Sequence, residues 1–301
     1  MAIHKFGAID VGSNAVRLLI SSIIEDGDNV YFKKISLVRL PLRLGLDAFT
    51  QHKLSDEKIE QVMHTMHAYS HLMKAHDVIA YRACATSAMR EAKNGKAITR
   101  RILKETGINL EIIEGKEEAE ILYATQIAGQ LTPNRPYLYI DVGGGSTEIS
   151  VFYDGAIHAS KSFKIGTIRL LNKMVKKEVW NEMETWVKSE TQNFQGLSSI
   201  GTGGNISKIF KMNGLPKGQP LPFVNIVHLY DEIKDISYED RIRHYDMRPD
   251  RADVIIPASD IYMRVMTWAK SPQIYVPKVG VADGIVRMLY KEFKEKQGFT
   301  L

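Results

Sequence analysis

The chain has 301 residues, 44% apolar and 25% charged, with a formal net charge of +5 from 40 basic and 35 acidic residues. That length accommodates two ordinary domains, each with its own core. The mild basic excess favours anionic ligands, and no block of like charge marks a nucleic-acid tail. No run approaches the roughly 18 apolar residues of a membrane span, and the N-terminus lacks a signal-peptide layout. The one cysteine, Cys84, excludes a disulfide framework. The expectation is a cytoplasmic protein with neither a membrane nor a nucleic-acid partner.

In chain order, apolar runs at residues 8–11 and 16–24 flank the tight Gly12-Ser13-Asn14 link, and Asp26-Gly27-Asp28 leads into a third run at 30–35. This reads as a three-stranded meander. Ser55 is placed to cap a helix carrying Ile59, Val62, Met63, Met66 and Met73 on one face,. A short strand follows at 78–81, then a segment at 83–90. Ile98, Ile102 and Leu103 mark a helix closed by Gly107,. Residues 110–113 read as a strand and 117–128 as a helix with Ala119, Leu122, Tyr123 and Ile127 inward.

The meander is then written again. Residues 137–142, the turn Gly143-Gly144-Gly145-Ser146, residues 147–153, the hairpin signal Asp154-Gly155 and residues 156–163 repeat it,. Ile9-Asp10-Val11-Gly12 and Ile140-Asp141-Val142-Gly143 are identical tetrapeptides in identical settings. A supersecondary unit recurring at about one domain length predicts two similar lobes. Helical spacing continues through 168–186, followed by a strand at 197–200, a Gly-rich turn and a helix from Asn205. After an irregular stretch bearing Pro216, Pro220 and Pro222 come a helix at 255–268, a strand at 274–276 and a last helix at 283–296. The alternation predicts an α/β protein with helix-covered central sheets.

Three Gly-rich turns, at residues 12–14, 143–146 and 201–205, follow apolar strands. Glycine lets backbone N–H groups converge on an anion, and Ser or Asn side chains add donors. Asp10 and Asp141 end strands of buried character, where a carboxylate costs free energy unless paired, hydrogen-bonded or on a metal. Glu148 lies seven residues beyond Asp141. The three carboxylates are therefore candidate Mg²⁺ ligands, the alternative being that Asp10 and Asp141 cap their own turns. Thr86, Ser87 and Arg90 fall at a strand-to-helix junction that suits phosphate,. Glu117 and Glu118 open a helix, as capping carboxylates or, for Glu118, as a general base. His64, His67 and His71 fall at helical spacing but read as a solvated helix face, and Cys84 as a small buried apolar residue.

In order along the chain stand AIDVGSNAVRLLI, RACATSAMREAKN, EIIEGKEEAE, IDVGGGSTE, IGTGGNISKI and RADVIIPA. With these segments the sequence resembles the exopolyphosphatase/guanosine pentaphosphate phosphohydrolase family, Ppx/GppA. The resemblance implies a two-lobed, actin-like (ribonuclease H-like) ATPase fold, with duplicated βββαβαβα-type domains and an active site in the cleft between them. It implies Glu118 as catalytic base, and Asp141 and Glu148, with Asp10, as the metal residues. Arg90 and Lys208 would contact the polyanion. Ser13, Asn14, Thr86, Ser87, Gly144, Gly145, Ser146, Gly203 and Gly204 would bind phosphate.

The implied lobes are residues 1–125 and 126–301, with the last helix (283–298) free to pack back on the first. The implied reaction is attack by water on the terminal phosphorus of polyphosphate or guanosine pentaphosphate, with Mg²⁺ (Mn²⁺ as the alternative). A homodimer is left open. The resemblance does not extend to the C-terminal helical extension of the family's long members, so chain-length preference is open too. Gly280-Val281-Ala282-Asp283-Gly284 keeps the family's glycines without its Arg-Glu-like pair, and Asn205 stands where Thr is common. A kinase of the same superfamily and a non-catalytic sensor of guanosine polyphosphates are the rival readings.

Overall fold

The computed structural model describes residues 1–123 and 135–297. The chain divides into two compact units, Met1–Thr125 with Gly280–Leu301, and Gln126–Val279.

In the first unit, β1 (Ala2–Val11), β2 (Val16–Asp26) and β3 (Asn29–Leu40) form the antiparallel meander. β4 (Ala80–Ala85) and β5 (Leu110–Ile112) add in parallel on the other side of β1, giving the order β3-β2-β1-β4-β5. Helices α1 (Leu44–Thr50), α2 (Asp56–Ala75), α3 (Ser87–Glu91), α4 (Gly95–Thr106) and α5 (Gly115–Tyr123) connect or follow these strands. Successive strand residues face opposite sides, and both sides of the sheet are covered. A Cβ at Gly7 would lie 3.0 Å from the Met73 sulfur of α2, whereas the neighbouring Phe6 ring meets Phe293 and Tyr290 of the last helix, α13 (Val281–Lys296), edge-on. Tyr290 donates to Glu25 at 2.9 Å, and Lys34 pairs with Asp283 at 2.7 Å. The last helix of the chain thus belongs to the core of its first unit.

The second unit repeats the plan. β6 (Tyr137–Val142), β7 (Thr147–Tyr153) and β8 (Ala156–Phe163) form the meander. β9 (Ser198–Thr202) and β11 (Gln273–Tyr275) add in parallel beyond β6, and β10 (Leu221–Pro222) closes that edge antiparallel. The order is β10-β11-β9-β6-β7-β8. The helices are α6 (Thr167–Leu171), α7 (Lys177–Thr191), α8 (Gly204–Met212), α9 (Phe223–Ile233), α10 (Tyr238–Tyr245), α11 (Pro249–Ala252) and α12 (Ile255–Trp268). Ile140, Ile149, Val187, Ile206 and the inner face of α12 share one apolar core.

The differences from the sequence reading are local. β4 runs to Ala85 because it pairs with β1 up to Val11, a constraint that its Arg and small residues do not advertise. The continuous helical spacing of 168–186 is cut into α6 and α7, with Lys173 left-handed at φ 55° between them. Helices α1, α9, α10 and α11 form where no element was expected. The far end of the helix expected at 117–128, including the side chains of Leu122, Tyr123 and Ile127, lies outside the described residues.

Candidate functional site

Each unit is built around the turn that leaves its first strand. In the first unit, Gly12 N–H donates to Ala15 at 3.1 Å, closing the link. Gly45 and Arg43 donate to the Ser13 and Asn14 carbonyls at 2.8 and 3.0 Å. The buried Ser13 hydroxyl lies 2.8 Å from that of Ser87 at the start of α3. Thr86, also buried, donates its N–H to Val11 at 3.1 Å. The four hydroxyl and amide residues singled out in this half thus gather where β1 and β4 end. Arg90, on the last turn of α3, donates to the Ile113 carbonyl at 2.6 Å and lies 3.6 Å from Glu114. Glu118 is buried in the first turn of α5, where its neighbour Glu117 pairs with Arg82 at 2.5 Å. The two adjacent glutamates are therefore different groups: Glu117 is an ion-pair partner, and Glu118 is a carboxylate withdrawn from solvent.

The second unit holds the Gly143–Ser146 turn from its carbonyl side. Thr167 and Ile168 N–H donate to the Gly143 and Gly144 carbonyls at 3.0 and 2.9 Å, and Arg169 donates to Gly145 at 2.7 Å. The approach is close because residue 166 is glycine: a Cβ there would sit 2.5 Å from the backbone of Gly144 and Gly145. Both of those glycines are buried, yet among the described residues their N–H groups have no acceptor. Buried amides in native folds are nearly always paired, so this turn offers two donors to an anion.

The carboxylates separate by unit. Cα pairing sets Asp10 directly opposite Arg17, and Asp141 directly opposite Glu148. Both pairs span seven residues across the same kind of turn, and directly opposed side chains share a face of the sheet. In the first unit the partner is a cation, Arg17 donating to Asp10 at 2.7 Å. In the second it is another acid. Glu148 is buried and accepts from Ser146 at 2.6 Å and Ser162 at 2.9 Å. Opposed like charges on a strand pair are destabilising, and a divalent cation removes that penalty. Mg²⁺ asks for one or two carboxylates, completing its shell with water and phosphate oxygens. Asp141 and Glu148 fit that donor set, and in the first unit Asp10 pairs with the Arg17 guanidinium. Among the described residues no group of three or more His, Cys, Asp or Glu gathers to form an all-protein cage.

The family model described as the Ppx/GppA phosphatase family matches residues 23–293. The chain belongs to this family. Among its relatives, it is 31% identical to exopolyphosphatase 2 of Mycobacterium tuberculosis over 175 residues, 56% of this chain and 54% of that protein. It is 29% identical to a bifunctional 3-dehydroquinate synthase/phosphatase of Fusobacterium nucleatum over 214 residues, 65% of this chain and 32% of that one. The chain thus spans about half the length, or less, of these curated relatives. The crystal structure of an exopolyphosphatase from Cytophaga hutchinsonii superposes with a TM-score of 0.82 at 22% identity, covering 97% of this chain and 98% of that one. This is a likeness of fold.

For this Ppx/GppA member the third glycine turn adds one residue that sequence reasoning missed, Arg251. Gly203 precedes α8 at φ 96°, a conformation that other residues rarely adopt,. A Cβ built there would lie 3.2 Å from Oδ1 of Asp141. Arg251, from the quoted but unassigned segment RADVIIPA, donates to Asn205 at 3.0 Å, and its guanidinium lies against Gly204. Asn205, the departure from Thr, is thus that guanidinium's acceptor. Lys208 donates to the Asp246 carbonyl at 2.9 Å. Burial, with Lys211 and Arg251 nearby, holds the Lys208 ammonium below its ordinary pKa although Asp246 opposes this. Arg17 had a legible signal, since it occupies in AIDVGSNAVRLLI the offset that Glu148 occupies in IDVGGGSTE.

Proposed function

We propose that this chain is a phosphohydrolase releasing terminal phosphate from inorganic polyphosphate, guanosine pentaphosphate or both, with Mg²⁺ (or Mn²⁺) held by Asp141 and Glu148. Membership of the Ppx/GppA phosphatase family and likeness to a named exopolyphosphatase support the reaction class. The observation that carries the reading is the pair of buried, acceptor-free amides at Gly144 and Gly145, beside two opposed carboxylates. Such a turn favours an oxyanion, and such an acid pair favours the cation that accompanies polyphosphates.

Roles follow from chemistry. The Gly144 and Gly145 N–H groups bind phosphoryl oxygens, joined by the Ser146 hydroxyl when its one proton turns from Glu148 to the ligand, as do Ser13, Asn14, Thr86 and Ser87 in the first unit and Gly203 and Gly204 in the second. When bound, the metal neutralises charge on the phosphoryl oxygens. Glu118 accepts the proton of the attacking water, a task suited to a carboxylate removed from bulk solvent. Arg90 has five donors and spends one on the Ile113 carbonyl,. Lys208 has three and spends one on Asp246,. Both keep donors for a polyanion.

The test is phosphate release by the purified chain from polyphosphate, guanosine pentaphosphate and shorter phosphoanhydrides, with Mg²⁺ and with chelator. Metal-dependent release from either of the first two is expected. Tight binding without release would establish the sensor, and acceptor-dependent ADP formation the kinase.

A further inference from the structure

We propose that Gly284, in the first turn of α13, is a positioning residue for Glu118. By carrying no side chain it lets the last helix seat against the backbone of α5 and fix the turn that bears the carboxylate. The inference rests on the functional reading above for the role of Glu118. Glycine inside a helix is unfavourable relative to alanine, and Gly284 is helical with no positive φ, so its conformation does not require glycine. Space does. A Cβ at 284 would overlap the Ile121 carbonyl oxygen of α5 and lie 2.8 Å from that carbonyl's carbon and 2.9 Å from the Ile121 Cγ2. Ile121 and Glu118 stand three residues apart, hence on one face of α5, and both are buried.

Helix α5 has nine residues. A helix that short does not hold itself in water, so the groups packed around it set its position. Its entry is held from the strand side, where Arg82 of β4 pairs with Glu117 at 2.5 Å and Arg90 donates to the Ile113 carbonyl at 2.6 Å. Both contacts act on the first turn or ahead of it, whereas Gly284 meets the helix at Ile121, one turn past Glu118. Helix α13 is the more firmly seated of the two. Its 16 residues place Phe293 and Tyr290 on Phe6, the Arg287 guanidinium 4.2 Å over Phe32, and Asp283 against Lys34. A methyl group at 284 leaves the Ile121 carbonyl carbon 3.4 − 2.8 = 0.6 Å short of ordinary contact, and the oxygen further short. The short helix gives way, and Glu118 moves with it.

The variant is Gly284→Ala in the full chain. Displacements approaching 1 Å at a reacting group cost up to ~10²-fold, so kcat for phosphate release should fall about 10- to 100-fold. KM for polyphosphate should stay within about twofold, because Glu118 takes no part in holding the anion. If Gly284 acts through Glu118, the two changes are not independent: added to Glu118→Gln, Gly284→Ala should cost less than about twofold more. The control is Phe293→Ala, at the far end of the same helix, which removes ring contacts with Phe6 and His4. It should lower the melting temperature and leave kcat alone.

A wild-type kcat in Gly284→Ala, an equal loss in Phe293→Ala, or a full additional loss in the Glu118→Gln background overturns the proposal. If the wild-type chain releases no phosphate, the functional reading fails, and amide exchange decides the packing. Residues 118–121 should then exchange at least ~10-fold faster in Gly284→Ala than in the wild type, and unchanged exchange overturns the contact. If Gly284→Ala does not fold, exchange on the wild-type chain decides it. Residues 118–121 should be protected together with α13, and opening of α5 more than ~10-fold more often than α13 shows that Gly284 does not hold it.

Discussion

Gly166→Ala puts a single methyl group against the turn that the functional reading depends on. The backbone at 166 is extended, φ −144° and ψ 162°, so alanine is allowed there and only space opposes it. The new Cβ would stand 2.5 Å from Gly144 C and O and from Gly145 C, where ordinary contact begins at 3.4 Å. The shortfall is 3.4 − 2.5 = 0.9 Å. All three atoms are backbone, so no side chain can swing aside. Either the turn shifts by about that distance, or α6 gives up its bonds to the Gly143 and Gly144 carbonyls. Overpacking of this kind costs about 1–3 kcal/mol, and at roughly 2–4 °C per kcal/mol for a unit of this size the melting temperature should fall by about 2–12 °C. A displacement near 1 Å at a positioning element costs up to ~10²-fold in rate. Phosphate-release rates and thermal unfolding are measured beside Gly155→Ala. That position has φ 71°, and a Cβ added there would meet nothing within 4 Å, so its variant should lose stability through backbone strain and keep its rate. A Gly166→Ala variant with wild-type rate and melting temperature, or a Gly155→Ala variant equally slow, would refute the reasoning.

Glu118→Gln should keep the fold and substrate binding while lowering kcat at least ~10²-fold; near-wild-type turnover removes Glu118 from the chemistry. Asp141→Asn and Glu148→Gln should each flatten the Mg²⁺ titration of phosphate release, whereas Asp10→Asn should leave it intact and destabilise by about 1–3 kcal/mol by weakening the ion pair with Arg17,. Unchanged titrations in the first two variants would place the metal elsewhere. Burial pushes the Cys84 thiol from an ordinary 9.0 to about 12. Its contribution to stability is therefore complete below pH 9 and is lost as pH rises through about 12,. Cys84→Ala should remove part of the alkaline decline in urea midpoints, and native Cys84 should resist alkylation at pH 8; rapid labelling of the folded chain would contradict its burial.

The duplicated strand–turn–strand unit, the α/β class and most of the candidate residues are legible in the sequence because each is written locally. Alternating apolar runs, Asp-Gly hairpins and the twin Ile-Asp-Val-Gly tetrapeptides are contiguous signals. Their consequence, two sheets of like order built around β1 and β6, follows from strand period and turn chemistry. Boundaries were weaker where pairing, not composition, extends a strand, as in β4. They were weaker again where a left-handed Lys173 cuts a regular apolar rhythm.

What only the tertiary structure decided is which polar groups meet. Asp10 and Asp141 stand in identical tetrapeptides, and only the cross-strand register turns the residue seven positions on into a partner, Arg17 for the first and Glu148 for the second. Gly166 closes on Gly145 and Gly144, 21 and 22 positions earlier, Arg251 bonds Asn205 across 46 residues, and Tyr262 reaches Thr202 across 60. No local pattern encodes such pairs, because the free energy that selects them, relief of a buried charge or an unsatisfied hydroxyl, exists only after helices and strands have packed and excluded water.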